Sequence, residues 1–243
     1  MNLIQNFVQN PWRASAFAFI AKLQALALAG VQGIPSDLTE DNANIQPFII
    51  RVHQSIVNGT TSYSFDLKAG NTPGLSIEKK LTNNDVFMLV SSALCIQKYD
   101  PAAPDFSKPL YTHPDPTYFT AAIAAQLELI YGGKMSLKAG SNNRIDMLDT
   151  SLLRYSPGAN FNGTVTAPVD NPQYGPYAED RGYFDHGIYP IIFGNETNVV
   201  EFSLAQGSTA SIADTGANKN NLVYLGLGWK FLGTTSNSSC TTV

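Results

Sequence analysis

The chain has 243 residues, of which 44% are apolar, 14% charged and 11% aromatic. These proportions predict an ordered globular protein of one large domain or two small ones, and they exclude disorder for most of the chain. The formal net charge is −4, and no basic cluster exceeds the pair Lys79 and Lys80. Specific nucleic-acid binding through a broad basic groove is therefore not expected. Two cysteines, Cys95 and Cys240, do not make a disulfide framework, and whether they pair stays open.

Residues 1–36 form a predicted N-terminal helical arm. Apolar residues recur at helical spacing between Arg13 and Ala29, Asn10-Pro11 marks the start, and Gly30 follows the end. The run is too short to cross a membrane and carries Lys22. We expect the helix to pack on the protein's own body or on a neighbour, with a lipid surface and a secretory signal peptide as the alternatives. The interface candidates on this helix are Arg13, Phe19, Ile20, Lys22 and Leu23.

Residues 37–233 form a predicted β body, because the apolar period changes from helical to alternating after Pro35. The predicted strands are 45–57, 62–68, 86–97, 127–138, 144–155, 188–193, 198–205 and 222–232. Turn residues at Asn58-Gly59, at 139–143 and at Gly194-Asn195 predict hairpins between antiparallel neighbours.

Two insertions interrupt the predicted strands, and a polar tail follows at 234–243. The insertion at 99–126 is rich in proline and ends in a predicted short helix over 117–126. The insertion at 156–187 is rich in glycine and aromatic residues, and a loop of this length is typical of binding. Its interface candidates are Tyr174, Tyr177, Tyr183 and Phe184. These side chains fit a protein interface, or equally a cover over the protein's own sheet.

Motifs of catalysis and of cofactor binding are missing from the sequence, and the chain is predicted not to be an enzyme. There is no Gly-x-Ser-x-Gly, no Gly-x-Gly-x-x-Gly and no His-Glu-x-x-His. Asp185-His186 is the best acid–base candidate, but adjacent residues on an extended backbone point to opposite faces. Gly132-Gly133 before Lys134 indicates a tight turn or bulge rather than a phosphate loop. No metal, catalytic or cofactor residues are predicted.

Several stretches occur together in one order. They are TNNDVFMLV at 82–90, the segment 109–119, LELIYGGK at 127–134 running on to Tyr155, and YPIIFG at 189–194 followed by 199–204 and 221–227. In residue pattern and in the order of these stretches, residues 80–232 resemble structural proteins of tailless icosahedral phages of Bacteroidetes-type hosts. Some of these phages enclose a membrane. The resemblance implies a jelly-roll capsid protein.

The leading hypothesis is therefore an all-β, antiparallel jelly-roll sandwich that self-assembles as the major capsid protein of a virion. About eight predicted strands favour a single roll, with a compact double jelly roll as the alternative. The expected partners are copies of the chain, other virion proteins and, through the N-terminal helix, an underlying lipid membrane. In this hypothesis the sandwich stays folded when residues 1–30 are deleted.

Three other functions compete with the capsid hypothesis. A vertex or minor capsid protein would have the same fold. A secreted β-sandwich binding module, such as an adhesin or a carbohydrate-binding domain, would use exposed tyrosines to stack on sugar rings. The third alternative is an enzyme that uses Asp185 and His186.

Overall fold

The computed structural model describes residues 11–31, 33–70, 78–99, 110–114, 118–119, 121–154, 183–205 and 219–234. Helices α1 and α2 span Pro11–Leu28 and Ala121–Leu127, and 3-10 helices span Glu128–Gly132 and Thr150–Leu153. The first strands are β1 (Ala43–Ser55), β2 (Ser62–Asp66), β3 (Val86–Tyr99), β4 (Lys134–Ala139) and β5 (Asn142–Asp149). They are followed by β6 (Phe184–Asp185), β7 (Ile191–Phe193), β8 (Asn198–Ser203) and β9 (Lys219–Thr234).

The strands form two antiparallel sheets. The larger sheet has the order β1-β9-β3-β6, and β7 also pairs with β3. The smaller sheet has the order β2-β8-β4-β5. The prediction of a mainly β protein with two antiparallel sheets is confirmed.

The inner core lies between the two sheets. The larger sheet contributes Phe87 and Tyr224, and the smaller sheet contributes Phe65 and Phe202; all four are fully buried or nearly so. The sequence of β3 is almost continuously apolar, as expected for a strand whose two faces are both covered. A bulge between Leu89 and Ser91 changes which residues of β3 point inward.

A second core lies on the outer face of the larger sheet. Phe19 and Leu23 of α1 pack there against Val86, Met88 and Phe231. These sheet residues alternate with residues of the inner core, so they point away from the smaller sheet. The molecule thus has three layers at this end, and the helix predicted between Arg13 and Ala29 is confirmed as a docked element.

The predicted turns are present, but only one of the three joins strands of the same sheet. Gly140, with φ +60°, lies in a hairpin between β4 and β5, as predicted. Asn58-Gly59 instead leads from β1 in the larger sheet to β2 in the smaller one, and Gly194 leads from β7 to β8 in the same way. The hairpins predicted at these two places are wrong, since a tight turn reverses the chain without deciding which sheet it enters.

Three predicted strands begin late or end early by at least three residues. The first half of 127–138 is helical up to Gly132, because α2 continues into a 3-10 helix. The strand predicted at 144–155 ends at Asp149, whose carboxylate accepts a hydrogen bond from the Ser151 N–H and caps the second 3-10 helix. The strand predicted at 188–193 begins only at Ile191, after Tyr189 at φ +44°.

Gly133 explains why two glycines precede Lys134. A Cβ at Gly133 would collide with the backbone carbonyl oxygen of Ser203 on β8. The Gly133 N–H donates to the Thr150 hydroxyl at 2.9 Å, which in turn donates to the Ile130 carbonyl at 3.0 Å. The glycine pair is therefore part of a tight structural turn.

Candidate functional site

The predicted interface residues of α1 contact the chain's own sheet. Phe19 and Leu23 are completely buried and Ile20 nearly so. Phe19 and Leu23 fill the second core, which is the alternative in which the helix packs on the protein's own body; a role of the helix at an interface with another molecule stays a prediction. The sequence predicted the apolar stripe, and the structure shows that it faces inward.

The two basic residues of α1 have different environments. The Lys22 amine donates hydrogen bonds to the carbonyl oxygens of Ile188, at 3.1 Å, and of Tyr189, at 2.6 Å. Burial lowers the pKa of Lys22. This lysine therefore fastens the helix to the segment before β7. Arg13 lies exposed at the start of the helix.

A second hydrogen bond fixes the other side of the helix. The Trp229 indole N–H of β9 donates to the Ser15 hydroxyl at 2.9 Å. Ser15 is buried, so this bond gives a polar side chain in the second core its partner. With Lys22, it holds α1 in one orientation on the sheet.

The predicted aromatic loop residues fall in two groups. Tyr174 and Tyr177 lie outside the described residues. Tyr183 is partly buried against Cys95, Val223 and their neighbours on the outer face of the larger sheet, and Phe184 packs on the inner core. For Tyr183, the alternative that it covers the protein's own sheet is the one the structure shows.

A chain of hydrogen bonds joins His186 to the core. The His186 Nε2 atom lies 2.8 Å from the Ser92 hydroxyl, which lies 2.8 Å from the Tyr224 hydroxyl. Burial lowers the pKa of His186 to about 4, so its ring is neutral near pH 7, and burial raises the pKa of Tyr224 well above its usual value. The sequence analysis singled out His186 but not its partners Ser92 and Tyr224; two serines within the apolar run of β3 are the signal that points to Ser92.

The Ser92 and His186 pair has the residue types of a nucleophile and a base, but not the access. Ser92 is completely buried, so no substrate in solution reaches its hydroxyl. The neighbouring Asp185 carboxylate accepts from the Gly187 N–H at 2.8 Å and from the Tyr189 hydroxyl at 3.3 Å. Asp185 and His186 thus have different partners, and this arrangement stabilises the segment before β7.

A polar row crosses the outer face of the larger sheet beyond the helix. The Arg51 Nε–H donates to His53 Nε2 at 2.9 Å, and the His53 N–H donates to Glu78 Oε1 at 3.0 Å. Burial, with the Arg51 charge as a second cause, lowers the pKa of His53 to about 4, which leaves the ring neutral as an acceptor. Cys95 lies buried on the same face, and burial raises the pKa of its thiol to about 12.

Among the described residues, no group of three or more His, Cys, Asp or Glu side chains could hold a metal ion. None of the described helices is long and apolar enough to cross a membrane. The class that the fold defines is a two-sheet antiparallel β protein with a helix docked on its larger sheet. No protein-family model, curated protein or solved structure matches the chain.

Proposed function

We propose that the chain is a structural protein of a virion, most simply its major capsid protein, with a single jelly roll as its body. The observation that carries the proposal is the order of strand pairing. β6 and β7 both pair with β3 on the same side, so they count as one strand position, and the chain then has eight positions. The pairs are first with eighth, second with seventh, third with sixth and fourth with fifth.

This nested pairing describes one long hairpin that is rolled up into two sheets. The larger sheet then has the order 1-8-3-6 and the smaller one 2-7-4-5, derived from the sheet orders given above. Eight strands joined in this way form a jelly roll, an architecture used by viral capsid proteins and also by lectins and cupins. The nesting supports the fold implied by the resemblance, and it favours a single roll over two.

The outward face of α1 supports self-assembly rather than a monomeric protein. This face carries Ala14, Phe17, Ala21, Ala25 and Leu28, all exposed, and Leu28 is 86% exposed. A surface helix of a monomer normally turns charged or polar residues outward. An apolar outward face suits contact with another copy, because contiguous exposed apolar surface is typical of interaction sites.

The competing function is a binding module that works as a monomer. A groove on the outer face of the larger sheet favours it, and the groove is described in the next subsection. A vertex or minor capsid protein would share the fold and differ in copy number.

Assembly mass tests the proposal. The full chain is measured by light scattering and negative-stain imaging over a range of concentrations, and we expect discrete capsomers or regular shells. The variant Ala21→Glu places a charge at the centre of the outward face of α1, and glutamate is itself a good helix former. We expect this variant to assemble less while its thermal midpoint stays near that of the native chain.

Ala69→Glu is the matched control, since Ala69 is an exposed alanine in the loop after β2. It carries the same change in charge and volume and should assemble normally. A native chain that stays monomeric at high concentration would refute the assembly proposal and favour the binding module. Equal assembly of the Ala21→Glu variant and the native chain would remove α1 from the contact.

A further inference from the structure

Two cavities adjoin on the outer face of the larger sheet, on the side of β1 and β9 that α1 leaves uncovered. One has a volume of about 440 Å³ and is lined by Leu227 and Trp229, and the other has a volume of about 320 Å³ and is lined by Arg51. Ile49 and Lys79 line both cavities. The two cavities therefore adjoin, and we call them together the β1–β9 groove.

The groove is apolar along most of its length. Ile49 pairs with Leu227 in the β1–β9 ladder, and two residues along on β9 the Trp229 ring continues the same face. Ile49 lies midway along β1, the edge strand of the larger sheet, and is 41% exposed. An apolar chain laid along these residues would bury a surface that is now open to water.

One end of the groove carries two positive charges. Arg51 and Lys79 face each other in an antiparallel bridge, with hydrogen bonds of 2.9 and 3.0 Å between their backbones. Directly opposed residues of an antiparallel pair have Cβ atoms about 5 Å apart. The two cationic side chains therefore leave the sheet side by side at this end.

No carboxylate neutralises these two charges within the described residues. The Glu78 carboxylate is engaged by the His53 N–H, at 3.0 Å, and by the Lys80 amine, at 3.4 Å. The Arg51 Nη2 atom is buried and has no hydrogen-bond partner among the described residues, while its Nε–H is held by neutral His53. The Arg51 side chain is partly buried and lines the second cavity, so an anion bound there would give this guanidinium the partner that the described residues do not supply.

We propose that the β1–β9 groove binds an amphipathic carboxylate, such as a fatty acid of medium length. The carboxylate pairs with Arg51 and Lys79, and the acyl chain lies over Ile49 and Leu227 towards Trp229. Charge complementarity selects this class of ligand, since the planar guanidinium matches a carboxylate and an alkyl chain matches the remaining surface. From Arg51 to Pro47 the groove follows about 13 Å of strand. The proposal is independent of assembly and goes beyond it.

The test titrates the full chain with decanoate below its micellar concentration, by calorimetry and by tryptophan fluorescence. We expect saturable binding with one ligand per chain and a change in the tryptophan emission, to which Trp229 and Trp12 both contribute. Decanol, which has the same chain without the charge, should bind at least about tenfold more weakly. Decyltrimethylammonium, with the opposite charge, should not bind at this site.

Two variants locate the head group. Lys79→Gln changes an exposed side chain and should fold normally, and we expect it to weaken decanoate binding severalfold; Arg51→Gln should weaken it by about tenfold or more. Lys138→Gln is the matched control, because Lys138 is a partly exposed lysine on the smaller sheet, paired with Glu201. It should bind decanoate like the native chain.

The result that overturns the proposal is absence of saturable decanoate binding. Equal affinity for decanol and decanoate, or native affinity in Lys79→Gln and Arg51→Gln together, would overturn it as well. These results leave the assembly proposal untouched, because light scattering of the ligand-free chain tests that proposal separately.

Discussion

Replacing Leu23 by alanine tests whether α1 is an integral part of the fold. Leu23 is completely buried in the second core, between α1 and the outer face of the larger sheet. Removing a buried leucine side chain costs its transfer free energy and leaves a cavity, for a total of about 2 to 5 kcal/mol. Because whole domains are stable by about 5 to 15 kcal/mol, this single change should remove a large part of the free energy of unfolding.

Leu28→Ala is the control on the same helix. Leu28 is 86% exposed, so the same substitution should change the free energy of unfolding by less than about 0.5 kcal/mol. Urea unfolding followed by circular dichroism measures both variants. With a denaturant slope of about 2 to 3 kcal/mol per molar, the Leu23 variant should unfold about 1 to 2 M earlier than the Leu28 variant. Equal midpoints would refute the docking of α1.

The same reasoning changes the expectation for a chain that lacks residues 1–30. The sequence-based hypothesis predicts that the sandwich stays folded without them. In the structure, however, α1 covers Val86, Met88 and Phe231. Deleting the helix would expose this apolar face to water, so we expect a truncated chain that is less stable and prone to aggregation. Loss of assembly after such a deletion would therefore not by itself identify α1 as a contact between copies.

Three further predictions concern the sheet and its titratable groups. Burial lowers the pKa of His53 and His186 from 6.5 to about 4, so the unfolded chain binds more protons than the folded chain between these two pH values. The free energy of unfolding should therefore fall as the pH falls through this range. A urea midpoint that does not change with pH would contradict this prediction. Gly228→Ala should cost about 1 to 3 kcal/mol in urea unfolding, because the new Cβ meets the backbone carbonyl of Met88; a neutral result would contradict this close approach. Burial raises the pKa of Cys95 to about 12, so in a variant lacking the other cysteine a thiol reagent should react only after unfolding.

The positions of the strands could be predicted because the signals are local. Alternating apolar residues and turn residues placed β1, β2, β3, β8 and β9 to within a few residues. The partners of these strands could not be predicted. β1 pairs along its whole length with β9, at the other end of the chain, and nothing within either strand encodes that choice. The order of pairing follows from the closure of the inner core, which is a property of the whole chain.

The failed hairpins have the same cause. Asn58-Gly59 has the turn chemistry of a hairpin, with φ +77° at Gly59, yet β1 and β2 lie in different sheets. A hairpin register would have paired the two strands locally, whereas β1 pairs with β9 and β2 with β8. Turn residues thus indicate where the chain reverses, whereas the pairing of strands that are distant in sequence determines the sheet that each strand joins.

Helix α1 shows how much of a buried contact can be predicted from a periodic sequence pattern. The spacing of Phe19, Ile20 and Leu23 correctly indicated a buried stripe, but not the surface that buries it. The contact of Lys22 with two carbonyl oxygens could not be read from the sequence, since its partners are 166 and 167 residues away. A lysine at the edge of an apolar stripe looks the same whether it faces lipid or fastens the helix to the protein.

The two proposals concern different surfaces, and this separation follows from the three layers. α1 covers one end of the outer face of the larger sheet and turns Ala21 to the outside, whereas Lys79 borders the groove that lies beside the helix. A contact between copies through α1 leaves the β1–β9 groove open, so ligand binding and assembly can occur in the same molecule. Ala21→Glu should therefore change assembly without changing decanoate affinity, and Lys79→Gln should do the reverse. If each variant changed both measurements, the groove and the contact would be one surface, and the occupant of the groove would be a neighbouring chain.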